Sequence, residues 1–287
     1  MELPITVTNR TGEYIDWTIG YQITFALQYI LNKYEDADFI IVTEEDVLVS
    51  PDFFVFLNRS VPLLRTDPSL YCATAYNDLT YPHNSYDAQV AYRTKSFPNY
   101  GWMVGRSFAY KMIAKIKEIL PQNPQQSWDI ITYFRTSKGM ECIVPEVSRS
   151  KHMAVGGTHL NQLAIRMWYI NKNYNQDPNF TITNMDMLSK STYEVHIQSL
   201  LSKAQYIDIL DTYPCDDNFY QRITVVPDEV LIILFESTTA PDSFRSNEHW
   251  EALANCLGIY SLEAHDGHHG LYRLRYGPAH LLLMAYP

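Results

Sequence analysis

Four consecutive apolar residues, Phe39-Ile40-Ile41-Val42, are separated by Thr43 alone from three carboxylates, Glu44, Glu45 and Asp46. An unbroken apolar, β-branched run of strand length suits a strand buried on both faces, as in a parallel sheet. Three adjacent carboxylates repel one another unless a divalent cation or hydrogen bonds offset their charge. A helix is expected before the run, from Tyr21 to Lys33, with Ile23, Ala26, Leu27, Ile30 and Leu31 on one face. Another opens at Pro51-Asp52 and continues through Leu64. Helix, buried strand, acidic tip and helix in succession are the order of an α/β fold, in which ligands bind beyond the carboxyl ends of the strands. Taken alone, the triplet reads either as a solvated acidic turn or as a place where Mg²⁺ or Mn²⁺ bridges one or two carboxylates to substrate phosphates.

The same order continues downstream. Tyr71 to Ala75 reads as a strand, followed by Asn77-Asp78, which is expected to shape the floor of the site. Gly101 to Val104 reads as another, followed by a helix from Arg106 to Ile119; Trp128-Asp129 opens the next helix. The loop from Lys151 to Leu160 holds Gly156-Gly157 and is expected to act as a lid over the site. Beyond about Ser189 the character changes to α+β without an acidic tip. Helices are expected over Thr192 to Ala204 and His249 to Leu257, and strands over Pro227 to Glu236, Gly270 to Tyr276 and Ala279 to Tyr286. This predicts two domains, 1–188 and 189–287. His265, His268 and His269 read as a turn rather than a metal site.

Composition limits the partners. A formal net charge of -10 over 287 residues lacks the basic footprint of a nucleic-acid binder. The longest apolar runs, Val230 to Phe235 and Leu281 to Tyr286, are far short of the ~20 residues of a membrane helix. Met-Glu-Leu-Pro at the start carries neither the basic nor the apolar region of a signal peptide. Against a cytosolic reading stand three N-glycosylation sequons, at Asn9, Asn58 and Asn179, and an even number of cysteines. Counting leaves open four free thiols or two disulfides in any of three pairings.

The run from Glu44 to Phe54 resembles the metal-site segment of the β-1,2-N-acetylglucosaminyltransferase family, glycosyltransferase family 13. The likeness continues in order through Asp67-Pro68-Ser69-Leu70-Tyr71-Cys72, Ala75-Tyr76-Asn77-Asp78, Tyr92-Arg93-Thr94, Phe97-Pro98-Asn99-Tyr100-Gly101-Trp102, Trp128-Asp129 and the stretch from Gly139 to Ser150. It covers the chain from about residue 20 to its end. The branch acting on protein O-linked mannose is the closer likeness, through its paired glutamates and through Tyr193-Glu194-Val195, Pro214-Cys215, Cys256-Leu257 and Gly270-Leu271-Tyr272-Arg273-Leu274.

The resemblance implies a GT-A-type nucleotide-sugar transferase fold with a smaller α+β carboxyl-terminal domain. It implies an inverting transfer of N-acetylglucosamine from UDP-GlcNAc to a mannose of a glycoprotein, O-mannosyl first and N-glycan second, with Mn²⁺ or Mg²⁺ as cofactor. Position by position, Asp46 matches the metal ligand, Glu45 its neighbour at the ribose, and Glu44 the residue holding hydroxyls of the transferred sugar. Asp129 matches the general base and Trp128 the aromatic beside it. Tyr100 and Trp102 are expected to line the sugar pocket, and Arg149 to face the diphosphate. Pairing within domains joins Cys72 to Cys142 and Cys215 to Cys256; the family carries the first pair, and its O-mannose branch has cysteines matching the second. Such bonds belong to an oxidising lumen, here the Golgi. Residues 1–20 are too few for the strand–helix unit that precedes this segment in the family, and Gly20 stands where the family has a histidine. The catalytic domain is thus expected to lack its first βα units, and a non-catalytic or truncated relative that binds sugar or protein is the alternative reading.

Overall fold

A computed structural model of the chain describes residues 19–123, 126–153, 165–208, 214–215, 226–236, 248–261 and 267–286. Its strands, in chain order, are β1 (Phe39–Val42), β2 (Val47–Val49), β3 (Leu70–Thr74), β4 (Ala91–Thr94), β5 (Trp102–Gly105), β6 (Glu141–Pro145), β7 (Ser150–His152), β8 (Gln205–Tyr206), β9 (Val230–Glu236), β10 (Leu271–Tyr276) and β11 (Ala279–Tyr286). They form a mixed five-stranded sheet in the order β1-β5-β3-β6-β4, a mixed four-stranded sheet in the order β10-β11-β9-β8, and the short ribbon β2-β7.

The first sheet is covered on both faces, so its central strands carry side chains that are apolar in either direction. Helices α1 (Ile19–Lys33) and α3 (Arg106–Ile119) pack Leu27, Leu31, Met112 and Ile116 on Val104 and Trp102. On the other face α2 (Phe53–Thr66) and the helix Lys190–Leu201 bring Phe53, Phe56, Tyr193 and Ile197 against Ala73, Met103 and Ile143. Val230, Ile232 and Leu282 of the second sheet join this same cluster. The opposite face of the second sheet, through Ile233 and Leu283, is covered by Trp250 and Leu253 of the helix Glu248–Cys256.

Two expectations need correction. The strand β1 is not a fully buried parallel strand: it lies at the edge of its sheet and pairs antiparallel with β5. Only Ile40 of its four residues is buried, and Ile41 is 39% exposed. An apolar run reports burial, whereas strand direction is set by which distant segment docks beside it. On α1 Leu27 and Leu31 are buried as expected and Ile23 and Ile30 pack partly buried beside them, but Ala26 is exposed and Gly20 and Thr24 complete the buried face. Gly20 is there because a Cβ would come within 2.7 Å of Leu120 and 3.2 Å of Trp128, which seats the helix end directly on Trp128.

The four cysteines form two bonds, Cys72–Cys142 and Cys215–Cys256, each with Cα atoms 4.6 Å apart. Cys72 and Cys142 are direct partners across the parallel pair β3-β6, so the first bond staples the middle of the sheet. A buried ionic network fixes the layer below. Arg93 binds Glu141 at 2.7 Å and Asp67 at 2.9 Å, and Asp67 also accepts the Lys190 N–H at 2.8 Å. That places a carboxylate at the positive end of the helix Lys190–Leu201. Among the described residues no helix is long and apolar enough to cross a membrane. Asn58 and Asn179 are exposed, and Asn9 lies outside the described residues.

Candidate active site

The acidic triplet forms the turn between β1 and β2, closed by Val47 N–H donating to the Glu44 carbonyl at 3.2 Å. The ribbon partner β7 holds this turn from the far side: His152 stands opposite Val47, and Met153 N–H donates to the Asp46 carbonyl at 2.7 Å. Side chains repeat the contact. His152 Nε2 lies 3.1 Å from Asp46 Oδ2, and the ring of His152 stacks on Tyr100 at 4.3 Å and meets Tyr169 at 5.4 Å. Tyr100 is anchored in turn by Ser150 Oγ, which donates to its carbonyl at 2.5 Å. The next residue, Gly101, has a left-handed φ of 85° and leaves 3.0 Å between its missing Cβ and Phe53.

Asp129 stands on another element, near enough for its charge to act on Glu44. It sits in the single α-turn Trp128–Ile130 that opens the π-helical stretch Ile131–Ser137. Its Oδ1 accepts from Ile130 N–H at 2.8 Å and from Ser127 Oγ. Trp128, 4% exposed, plants this turn in the core between Phe97 and Trp102, with ring centroids 5.9 and 6.0 Å away.

The electrostatics show that these carboxylates share one environment. Burial first, then the charges of Asp46, Glu45 and Asp129, push the Glu44 carboxyl up to about 7. Asp46 Oδ1 is buried with no hydrogen-bond partner among the described residues. A buried acceptor with no donor costs free energy, of the order of 1–3 kcal/mol, unless something else satisfies it. Oxygen donors of this kind, in a cluster of carboxylates, fit a hard divalent cation.

Two expected contributors do not face the cluster. Arg149 is wholly buried and committed to structure. Its Nε pairs with Asp52 at 2.8 Å, one amino group donates to the Val147 carbonyl at 2.7 Å, and the other to the Ala88 carbonyl. Asp52 thereby ties the start of α2 to the segment before β7. Trp102 is 1% exposed and belongs to the core that supports Trp128. Tyr100 stays near the cluster, as the platform for His152. Asn77 spends its amide on the Pro145 and Glu146 carbonyls at 2.9 and 3.1 Å, so it fixes the end of β6. Of the expected lid, residues 154–160, with Gly156-Gly157, lie outside the described residues. His152 had no expectation attached to it: a lone histidine in a three-residue strand has no periodicity to betray it.

Comparison with known proteins gives two findings. The model of the GNT-I family matches residues 5–228, more than half of the chain. The chain is also similar to an alpha-1,3-mannosyl-glycoprotein 2-beta-N-acetylglucosaminyltransferase of Arabidopsis thaliana, 26% identical over 203 residues. That match covers 70% of this chain and 44% of the relative, so the chain spans less than half of the relative's length.

Proposed function

The chain belongs to the GNT-I family, and we propose that it acts there as a metal-dependent, inverting N-acetylglucosaminyltransferase. The donor is UDP-GlcNAc, the acceptor the 2-hydroxyl of a mannose on a glycoprotein, and the product linkage β-1,2. What supports the reading is the Glu44 carboxyl, raised to about 7 by burial first and then by the charges of Asp46, Glu45 and Asp129.

In this reading Asp46 holds the cation, Mn²⁺ or Mg²⁺, with His152 fixing its other oxygen. Bound there, the cation supplies neutralisation of the charge that grows on the leaving diphosphate. Glu45 faces the ribose and Glu44 the hydroxyls of the transferred sugar. Asp129 accepts the proton of the mannose hydroxyl as its oxygen attacks the anomeric carbon. Displacement from the face opposite the diphosphate turns an α-linked donor into a β-linked product. Trp128 holds the base in place from below. The fold that goes with this activity is of GT-A type, with 1–188 as the catalytic domain and 189–287 as the smaller one. The two disulfides support an oxidising compartment, and we place the protein in the Golgi lumen.

The carboxyl-terminal motifs favour an O-mannosyl acceptor. The family relative acts, by its name, on an alpha-1,3-mannosyl-glycoprotein, and for that reason the N-glycan mannose takes first place. The test is a direct competition. The full chain is incubated with UDP-GlcNAc, Mn²⁺ and equal amounts of an α-1,3-mannosyl glycopeptide and an O-mannosyl peptide, and products are read by mass spectrometry and linkage analysis. The expected result is a β-1,2 product, formed faster on the first acceptor and abolished by EDTA. Donor binding without transfer to either acceptor would leave a sugar-binding relative; no Mn²⁺-dependent donor binding would end the reading.

A further inference from the structure

A second constellation lies at the turn that precedes β10 and involves no residue of the carboxylate cluster. His268 and Leu271 exchange two backbone hydrogen bonds, at 2.9 and 3.0 Å, across the pair His269-Gly270. Both central residues are left-handed, with φ of 51° and 80°. This is the geometry of a tight two-residue hairpin turn. It also turns two consecutive imidazoles toward each other, with ring centroids 4.5 Å apart, which an extended strand would point to opposite sides. Glu194, on the helix Lys190–Leu201, meets both. Its Oε1 is 3.4 Å from His268 Nε2 and 3.3 Å from His269 Nε2.

The state of His268 gives the arrangement its meaning. The side chain is 3% exposed, and its Nδ1 is 2.6 Å from Glu141 Oε1. Glu141 is fixed in turn by Arg93. A carboxylate only accepts, so Nδ1 carries the proton, and in the neutral ring Nε2 presents a lone pair. That Nε2 is buried and has no hydrogen-bond partner among the described residues. In that neutral form it faces the carboxylate of Glu194, another electron-pair donor, 3.4 Å away.

We propose that His268 Nε2, His269 Nε2 and Glu194 Oε1 bind one tetrahedral divalent transition metal, Zn²⁺ foremost, with water in the fourth position. Ligands held about 2.0–2.1 Å from zinc at tetrahedral angles lie roughly 3.3–3.4 Å apart. The two histidine–glutamate spacings already have that value, and the three ligand atoms all lie within 4.8 Å of one another. A histidine that ligates through one nitrogen and donates the other to a carboxylate is the usual outer arrangement of such sites, and Glu141 fills that part. Two imidazoles with a carboxylate suit zinc better than magnesium or calcium, so the site takes a different metal from the acidic triplet. His269, with its side chain 59% exposed, is the open side through which the ion enters. The metal would pin the turn before β10 to the helix Lys190–Leu201 and so brace the second sheet against the first.

The test uses the full chain, freed of metal with a chelator, carrying Asp46→Ala so that the acidic triplet does not contribute. Zn²⁺ is titrated by calorimetry near neutral pH, and Co²⁺ is added separately to read the intense visible absorption of a tetrahedral site. One Zn²⁺ per chain and a tetrahedral Co²⁺ spectrum are expected. His269→Ala and Glu194→Gln, both at partly exposed positions, should each weaken Zn²⁺ by roughly 10- to 100-fold or more, since even outer partners of a ligand are worth that much. Melting of the metal-free variants checks that they fold. If Zn²⁺ does not bind stoichiometrically, the contact is a doubly protonated His268 between two carboxylates and the proposal fails. It also fails if both folded variants bind as tightly as their parent.

Discussion

A carboxylate oxygen sealed from water without a donor is an acceptor waiting for a cation, and among the described residues Asp46 Oδ1 is in that position. Asp46→Ala should therefore lower Mn²⁺-dependent nucleotide affinity on the order of 10-fold or more, by analogy with the 10- to 100-fold that supporting residues alone are worth. Calorimetry with UDP in the presence and absence of Mn²⁺ reads this, and unchanged Mn²⁺ dependence would remove Asp46 from the role. His152, donating through Nε2 to the other oxygen, aims that carboxylate. His152→Ala should cost roughly 10-fold in the same measurement, and His152→Gln, which keeps a donor, should recover part of it. Asp129→Asn preserves shape and cannot take a proton, so kcat should fall roughly 10²- to 10⁴-fold while donor binding stays close to that of the parent. Turnover at the parental rate would assign the base to another residue. The triplet was legible in the sequence because its members are consecutive. Asp129 was legible only through its place in a series of family motifs, since nothing local connects it to residue 46. Arg149 and Trp102 were misread for one reason. Whether an arginine faces a diphosphate or is consumed inside depends on Asp52, 97 positions away, and a strand-end tryptophan looks the same whether it lines a pocket or supports Trp128.

At the level of elements, periodicity worked where elements were long. The helices α1, α2 and α3 and the strands β9, β10 and β11 lie within a few residues of their expected bounds. Among the short elements, β7 spans three residues and β8 two, too few for any alternation to stand out. The strand β4 contains Arg93, buried by an ionic network that no local pattern announces. Strand direction was likewise invisible: β3 and β6 run parallel while β1 and β5 run antiparallel, because long-range docking decides the pairing. The Cys72–Cys142 bond acts at this scale. It joins two adjacent central strands across 70 residues of sequence and lies wholly within the core. Closing so long a loop stabilises mainly by restricting the unfolded chain, and the expected loss in Cys72→Ala/Cys142→Ala is about 2–5 kcal/mol. Urea melts should show a lower midpoint. A midpoint equal to the parent's would mean that the β3-β6 pairing is fixed by packing and hydrogen bonds alone.

Across the whole molecule the two sheets are locked by charges that cross between them. Glu146, after β6, binds Arg275 of β10 at 3.2 Å, and Arg275 donates to His280 Nε2 of β11 at 3.3 Å. Burial first, then Arg275 and Arg273, pull the His280 imidazole down to about 4. In the turn after β1 Glu44 is pushed up to about 7. The two act on stability with opposite sign over the same window. Between about 4 and 6.5 the unfolded chain binds a proton at His280 before the native one does, so this residue's contribution is lost as pH falls. Between about 4.5 and 7 the native chain holds a proton at Glu44 that the unfolded chain has released, so that contribution is lost as pH rises. Shifts of this size correspond to about 3 kcal/mol each without screening. Both side chains keep contact with water, so about 1–2 kcal/mol is the expected effect. In the parent the two slopes should nearly cancel, giving a flat profile between about 4.5 and 6.5. Removing either partner should uncover the other: Glu44→Gln should lose stability toward acid, and His280→Gln should lose it toward neutral pH. Mn²⁺ added to the parent should act like Glu44→Gln, because a cation at the triplet favours the ionised carboxylate and draws the Glu44 proton off. Melting temperatures across this range, for the parent with and without Mn²⁺ and for the two variants, decide the matter. Parallel profiles for all four would show that neither group changes its protonation on folding.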